Sequence, residues 1–140
     1  MNANQLFKLR ELAALTRQEL SQFVQRNEDF DDDWCGSCLL CSWVLNKVLR
    51  AHGFNSELCV GTYDKICHAF VMLDEYVVDI TATQFENPEV FIEVFEGSDY
   101  KVKAKSEKIY KTIRNWPAEQ IPKTYRRELS RIFRRIIGGK

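Results

Sequence analysis

Cys67-His68-Ala69-Phe70-Val71-Met72-Leu73-Asp74-Glu75-Tyr76-Val77-Val78-Asp79-Ile80-Thr81 is the stretch whose reading decides the fold. Residues 69–73 and 76–81 are short runs rich in Val, Ile, Phe and Tyr, parted by Asp74-Glu75, the pattern of two strands and a turn. A two-residue hairpin loop there sets Leu73 opposite Tyr76, Phe70 opposite Asp79 and His68 opposite Thr81. His68 and Asp79 then share one face as diagonal neighbours, about 7 Å apart, a gap that polar side chains bridge. A slip of one residue would send them to opposite faces. Glu75 stands at a turn position that glycine fits better.

Working outward, residues 58–63 form a third antiparallel strand, joined through Asp64-Lys65, and residues 90–95, after Pro88, are a candidate fourth. Residues 97–105 read as loop or edge. Toward the N-terminus, residues 4–26 carry Leu6, Leu9, Leu12, Leu20, Phe23 and Val24 near the 3.6-residue period, with Arg17 among the polar residues between them. An aperiodic acidic loop, residues 27–33, leads to Trp34. A second helix starts at Ser37, a good N-cap. Val44, Leu45, Val48 and Leu49 form its apolar stripe, Asn46, Lys47 and Arg50 face water, and Gly53 ends it. Toward the C-terminus, residues 106–114 suggest a short helix broken by Trp116-Pro117. The last helix begins near Thr124, with Tyr125, Leu129, Ile132 and Ile136 on one stripe, arginines over the remainder and Gly138-Gly139 as its stop. The order of elements predicts an α+β fold: an antiparallel sheet of three to four strands against an N-terminal helix pair, with a basic C-terminal helix.

Composition sets the outer bounds. A chain of 140 residues, 45% hydrophobic and 29% charged, fits a single globular domain, residues 1–140, able to bury a core without disulfides or metal. No apolar run reaches the ~18 residues of a membrane span. No secretory signal is visible, and five cysteines without one point to a reducing compartment. The expected location is cytoplasmic, or secreted without a classical signal, as an effector. The zero net charge hides a gradient: residues 1–100 hold 7 Lys+Arg against 17 Asp+Glu, and residues 101–140 hold 13 against 3. Either the two parts pack and neutralise each other, or the basic extension, residues 101–140, meets an acidic partner, anionic lipid or nucleic acid. No nucleic-acid-binding motif accompanies the charge.

Cys38 is the first candidate for chemistry. It follows the N-cap position of the second helix, where unpaired N–H groups and the helix dipole favour a thiolate, the nucleophilic form. Asp31, Asp32 and Asp33 oppose this unless they point away. His68, paired with Asp79, is the second: a carboxylate on one imidazole nitrogen leaves the other to face a thiol. His52, beside Gly53, is explained as a partner of the helix C-terminus. Cys41, Cys59 and Cys67 read as small buried hydrophobes, and Trp34 and Trp116 as packing residues.

Cys35-Gly36-Ser37-Cys38, with Ser42 on the following helix, is similar to the segment around the papain nucleophile. Papain-like proteases proper carry the histidine far downstream. The short spacing to His68-Ala69-Phe70 and Val78-Asp79-Ile80-Thr81 resembles the compact transglutaminase-like branch of that superfamily, and Gln84-Phe85 extends the likeness to small bacterial and phage proteins. The likeness covers residues 35–85. It implies Cys38 as nucleophile, His68 as general base and acid, and Asp79 as the orienting carboxylate. The implied chemistry is a thiol-dependent hydrolase or acyltransferase acting on a protein or peptide amide: protease, amidase, glutamine deamidase or transglutaminase. Two positions depart from the pattern. Asp32 stands where the papain-type oxyanion glutamine would be, and Phe70 where many relatives carry Trp.

Three other readings use the same residues. Cys35, Cys38 and Cys41 could bind an iron–sulfur cluster with Cys59 or Cys67. Cys35 and Cys38 could form a redox disulfide. The whole could be an inactive transglutaminase-like binding module that docks through its basic C-terminal helix. The favoured reading needs no cofactor and no metal; residues 29–33 are too contiguous for a calcium loop.

Overall fold

The computed structural model describes residues 1–27, 30, 31, 34, 36–105 and 121–138. Helix α1 spans Ala3–Arg26 and opens with a capping box: the Gln5 amide donates to Asn2 Oδ1, and the Asn2 amide to Gln5 Oε1. Its buried stripe runs through Leu9, Leu12, Ala13, Leu20, Phe23 and Val24. Helix α2, Cys38–Ala51, ends where Gly53 takes φ +88°, and His52 Nδ1 donates to the Val48 carbonyl at 2.9 Å. Both ends of α2 fall where the sequence puts them, but two side chains differ from expectation. Ser37 does not cap the helix; its hydroxyl donates back to the Trp34 carbonyl at 2.7 Å. Asn46 is buried rather than facing water, because its Oδ1 accepts from the buried Ser56 hydroxyl at 2.6 Å.

Five strands follow: β1 (Glu57–Tyr63), β2 (Ile66–Leu73), β3 (Tyr76–Asp79), β4 (Phe91–Val94) and β5 (Tyr100–Lys105). They form one antiparallel sheet in the order β4-β3-β2-β1-β5. The fifth strand exceeds the three to four expected. It is an edge strand in which exposed Lys101, Lys103 and Lys105 alternate with Tyr100, Val102 and Ala104; lysines blunt a sheet edge and dilute its hydrophobic signal. The central hairpin has the expected register, Leu73 opposite Tyr76 and Val71 opposite Val78. Glu75 needs no glycine, since the left-handed residue of this turn is Asp74, at φ 53°. Strand β3 stops at Asp79 instead of reaching Thr81. The Thr81 amide and hydroxyl both turn back to Asp79 Oδ1, at 2.8 and 3.1 Å, which starts a 3-10 turn over Ala82–Phe85.

The third helix, α3 (Lys123–Gly138), joins α1 and α2 in one layer. Its buried Leu129, Ile132 and Ile136 meet Leu9, Leu12, Leu45 and Leu49, and below them Val71, Leu73, Val78 and Ile80 of the sheet. Arg135 pairs with Glu19 at 2.6 Å, and Glu128 with Arg26, so one flank of the basic helix is neutralised by α1. The opposite sheet face carries a smaller cluster of Cys59, Phe70, Val77 and Tyr100. Gly61 lets β5 close over that face: a Cβ there would collide with the Lys101 carbonyl, at the point where the β1–β5 register shifts. Among the described residues no helix is long and apolar enough to cross a membrane. The expected helix at 106–114, the break at Trp116-Pro117, and Cys35, Asp32 and Asp33 lie outside the described residues.

Candidate functional site

Strands β2 and β3 bring His68 and Asp79 together. His68 Nε2 lies 2.7 Å from Asp79 Oδ2, and both side chains are wholly out of solvent. A carboxylate only accepts, so Nε2 carries the proton and Nδ1 is the nitrogen left for chemistry. Asp79 collects three more donors: the Tyr100 hydroxyl at 2.7 Å on the same oxygen, and the Thr81 amide and hydroxyl on the other. That is how a fully buried carboxylate is sustained, since an unpaired one would carry a large desolvation cost.

Cys38, half-buried at the first position of α2, reaches the same imidazole. Burial by itself would lower the His68 pKa. Hydrogen bonds to Asp79 and then to the Cys38 thiol, with the charges of both, outweigh it and push His68 up to about 9. The structure therefore assembles all three residues singled out from sequence: Cys38 from a helix start, His68 and Asp79 from adjacent strands. The side chain of Ser37 leaves the first turn of α2 uncapped, so backbone N–H groups beside Cys38 are available to a developing oxyanion. Asp31 is exposed.

The remaining thiols behave differently. Burial pushes both Cys41 and Cys59 up to about 12, which makes them inert. Cys67 is exposed, not buried as expected: it sits at the outer start of β2, one residue before the chain enters the core. Cys41 belongs to the helix-side core and Cys59 to the cluster across the sheet, so these thiols do not share one ligand site. Among the described residues no group of three or more His, Cys, Asp or Glu side chains could hold a metal ion.

Four further residues complete the site and were not assigned roles from sequence. Tyr100 comes from the edge strand read as loop or edge; its signal was the alternation with lysines. Burial first, then the neighbouring Asp79, drives its phenol far above the ordinary range. Gln84 places its amide nitrogen 3.3 Å from His68 Nδ1 while donating to the Thr81 carbonyl at 3.0 Å. Phe85 meets the imidazole edge-on at 4.9 Å and stacks on Tyr63 at 4.4 Å, which keeps water from the ring. Arg17 crosses from α1 to donate to the Ile80 carbonyl at 2.5 Å, with its guanidinium 3.8 Å from the Trp34 ring. It ties the loop before Cys38 to the chain just after Asp79. Its signal was position: four residues after Ala13 and three before Leu20, a lone cation in the apolar stripe of α1. Trp34 is buried, with a left-handed φ of 73°, a strained conformation for so large a residue.

No protein-family model, no curated protein and no solved structure matches this chain.

Proposed function

We propose that this protein is a cysteine acyl-transfer enzyme, a hydrolase or acyltransferase acting on an amide bond, with Cys38 as nucleophile, His68 as general base and acid, and Asp79 as the orienting carboxylate. One observation carries the reading: His68 is bonded through Nε2 to a buried carboxylate while the Cys38 thiol interacts with the same ring. Likeness to the transglutaminase-like branch of the papain superfamily agrees with it.

In the first step the Cys38 proton passes to His68 Nδ1 and sulfur attacks the carbonyl carbon. Backbone N–H groups at the α2 start receive the oxyanion charge. Collapse breaks the carbon–nitrogen bond, His68 returns the proton to the departing amine, and a thioester remains on Cys38. In the second step His68 takes a proton from water, or from an amine acceptor, as that nucleophile displaces the sulfur, and then returns the proton to the Cys38 thiolate. Asp79 stays ionised throughout, stabilising the imidazolium and holding its orientation.

The test is covalent. Iodoacetamide at pH 6, read by intact mass, labels Cys38 far faster than a free thiol. The fast reaction disappears in Cys38→Ala, leaving slow labelling of exposed Cys67, and falls to the free-thiol rate in His68→Ala. Labelling of the wild type no faster than glutathione would sink the proposal and favour a non-catalytic binding module.

A further inference from the structure

The neutralised flank of α3 faces α1; the other faces α2 and has no counter-charge among the described residues. There Trp43 lies in a groove of about 440 Å³ with Lys123, Arg126, Arg127 and Arg134, and Lys47 sits 5.0 Å from its ring. Among the described residues no acidic side chain lines this groove. Among the described residues none of these five cations has a carboxylate partner.

Three observations mark the charge as unbalanced. The first turn of α3 contains no acid, while Lys123, Arg126 and Arg127 crowd the helix end whose dipole already favours anions. The Arg126 Nε is shut off from solvent and has no hydrogen-bond partner among the described residues; a buried donor in that state is costly. Lys47 has its pKa lowered, by burial first and then by Arg134.

We propose that the groove between α2 and α3 is a docking site for a short acidic segment, a run of Asp or Glu residues, of a partner protein. Arginine forks match carboxylates in bidentate geometry. Lys123 to Arg134 spans about 16 Å of helix, the length of about five extended residues. A short segment fits better than a long polyanion, because residues 1–100 carry ten more acids than bases and repel anything that runs beyond the groove. A nucleic acid would also want an open aromatic platform, whereas Trp43 is half-buried with Lys47 against its ring. The groove is separate from the thiol site: Trp43 lies about 140° round α2 from Cys38. It is therefore independent of the proposed catalysis.

The probe is fluorescein-labelled hexaglutamate, titrated against the whole chain by anisotropy. It binds, and binding weakens as salt rises. The Arg126→Gln/Arg127→Gln pair reduces affinity by about tenfold or more, the loss expected from removing charge-assisted hydrogen bonds. Lys47→Gln, a single change on the other helix, reduces it as well and decides the matter if the double variant misfolds. Arg10→Gln, on an exposed face of α1, and Cys38→Ala both bind like wild type. The proposal is overturned if hexaglutamate binds no better than a Gly-Ser peptide, or if neither groove variant loses affinity. It is also overturned if an oligothymidylate of equal charge binds more tightly.

Discussion

The two faces of the sheet are held by opposite kinds of physics. The helix-covered face is Leu, Val and Ile against Leu and Ile, and its cohesion is non-directional: any side chain of the right size in the right stripe contributes. The other face is small and holds a buried carboxylate that only fixed donors can sustain: His68, Tyr100 and Thr81, walled by Phe70 and Phe85. On the first face substitutions are graded by volume. On the second they are graded by which donor loses its acceptor.

Asp79→Ala is the largest break in that contrast. It leaves the imidazole, a phenol and two Thr81 donors unpaired in the interior, and stability falls by about 3–5 kcal/mol in urea denaturation. Fast labelling of Cys38 at pH 6 falls to the free-thiol rate with it. A loss below about 1 kcal/mol would mean that the polar face does not act as a unit.

The pH dependence comes next. His68 binds its proton more tightly folded (about 9) than unfolded (6.5). Its contribution is therefore complete below about pH 6.5 and is lost as pH rises through about 9. The change is of order 3 kcal/mol. Denaturation midpoints between pH 6 and 10 check this, and His68→Gln flattens the curve over that window.

Tyr100→Phe removes one donor from Asp79 and leaves the ring in place; the cost is about 1–3 kcal/mol, again by denaturation. On the helix side, Ile132→Val removes one buried methyl and costs about 0.5–1.5 kcal/mol, with Cys38 labelling unchanged. If Ile132→Val slowed labelling while Tyr100→Phe did not, the division between the two faces would be wrong.

Legibility followed the same division. The stripes of α1, α2 and α3 and the central hairpin could be read because periods of 3.6 and 2 record which side of an element is buried. His68 and Asp79 could be paired because a two-residue loop leaves one register. Tyr100 was missed, since β5 has lysine at every second position and its burial depends on the bulge opposite Gly61. Arg17 was placed among the polar residues of α1, although it occupies the apolar stripe. Its acceptor, the Ile80 carbonyl, is 63 residues away. Ser37 had the residue type of a cap but spent its hydroxyl on Trp34.

Local periodicity and loop length by themselves determined the α+β class, both ends of α2 and the diagonal that joins His68 to Asp79. Those depend only on neighbours along the chain. Tertiary structure decided which thiol meets the imidazole, which remote hydroxyl completes the buried carboxylate, and which flank of the basic helix pairs with α1. These are pairings between distant segments, and a hydrogen bond or an ion pair exists only when both partners arrive.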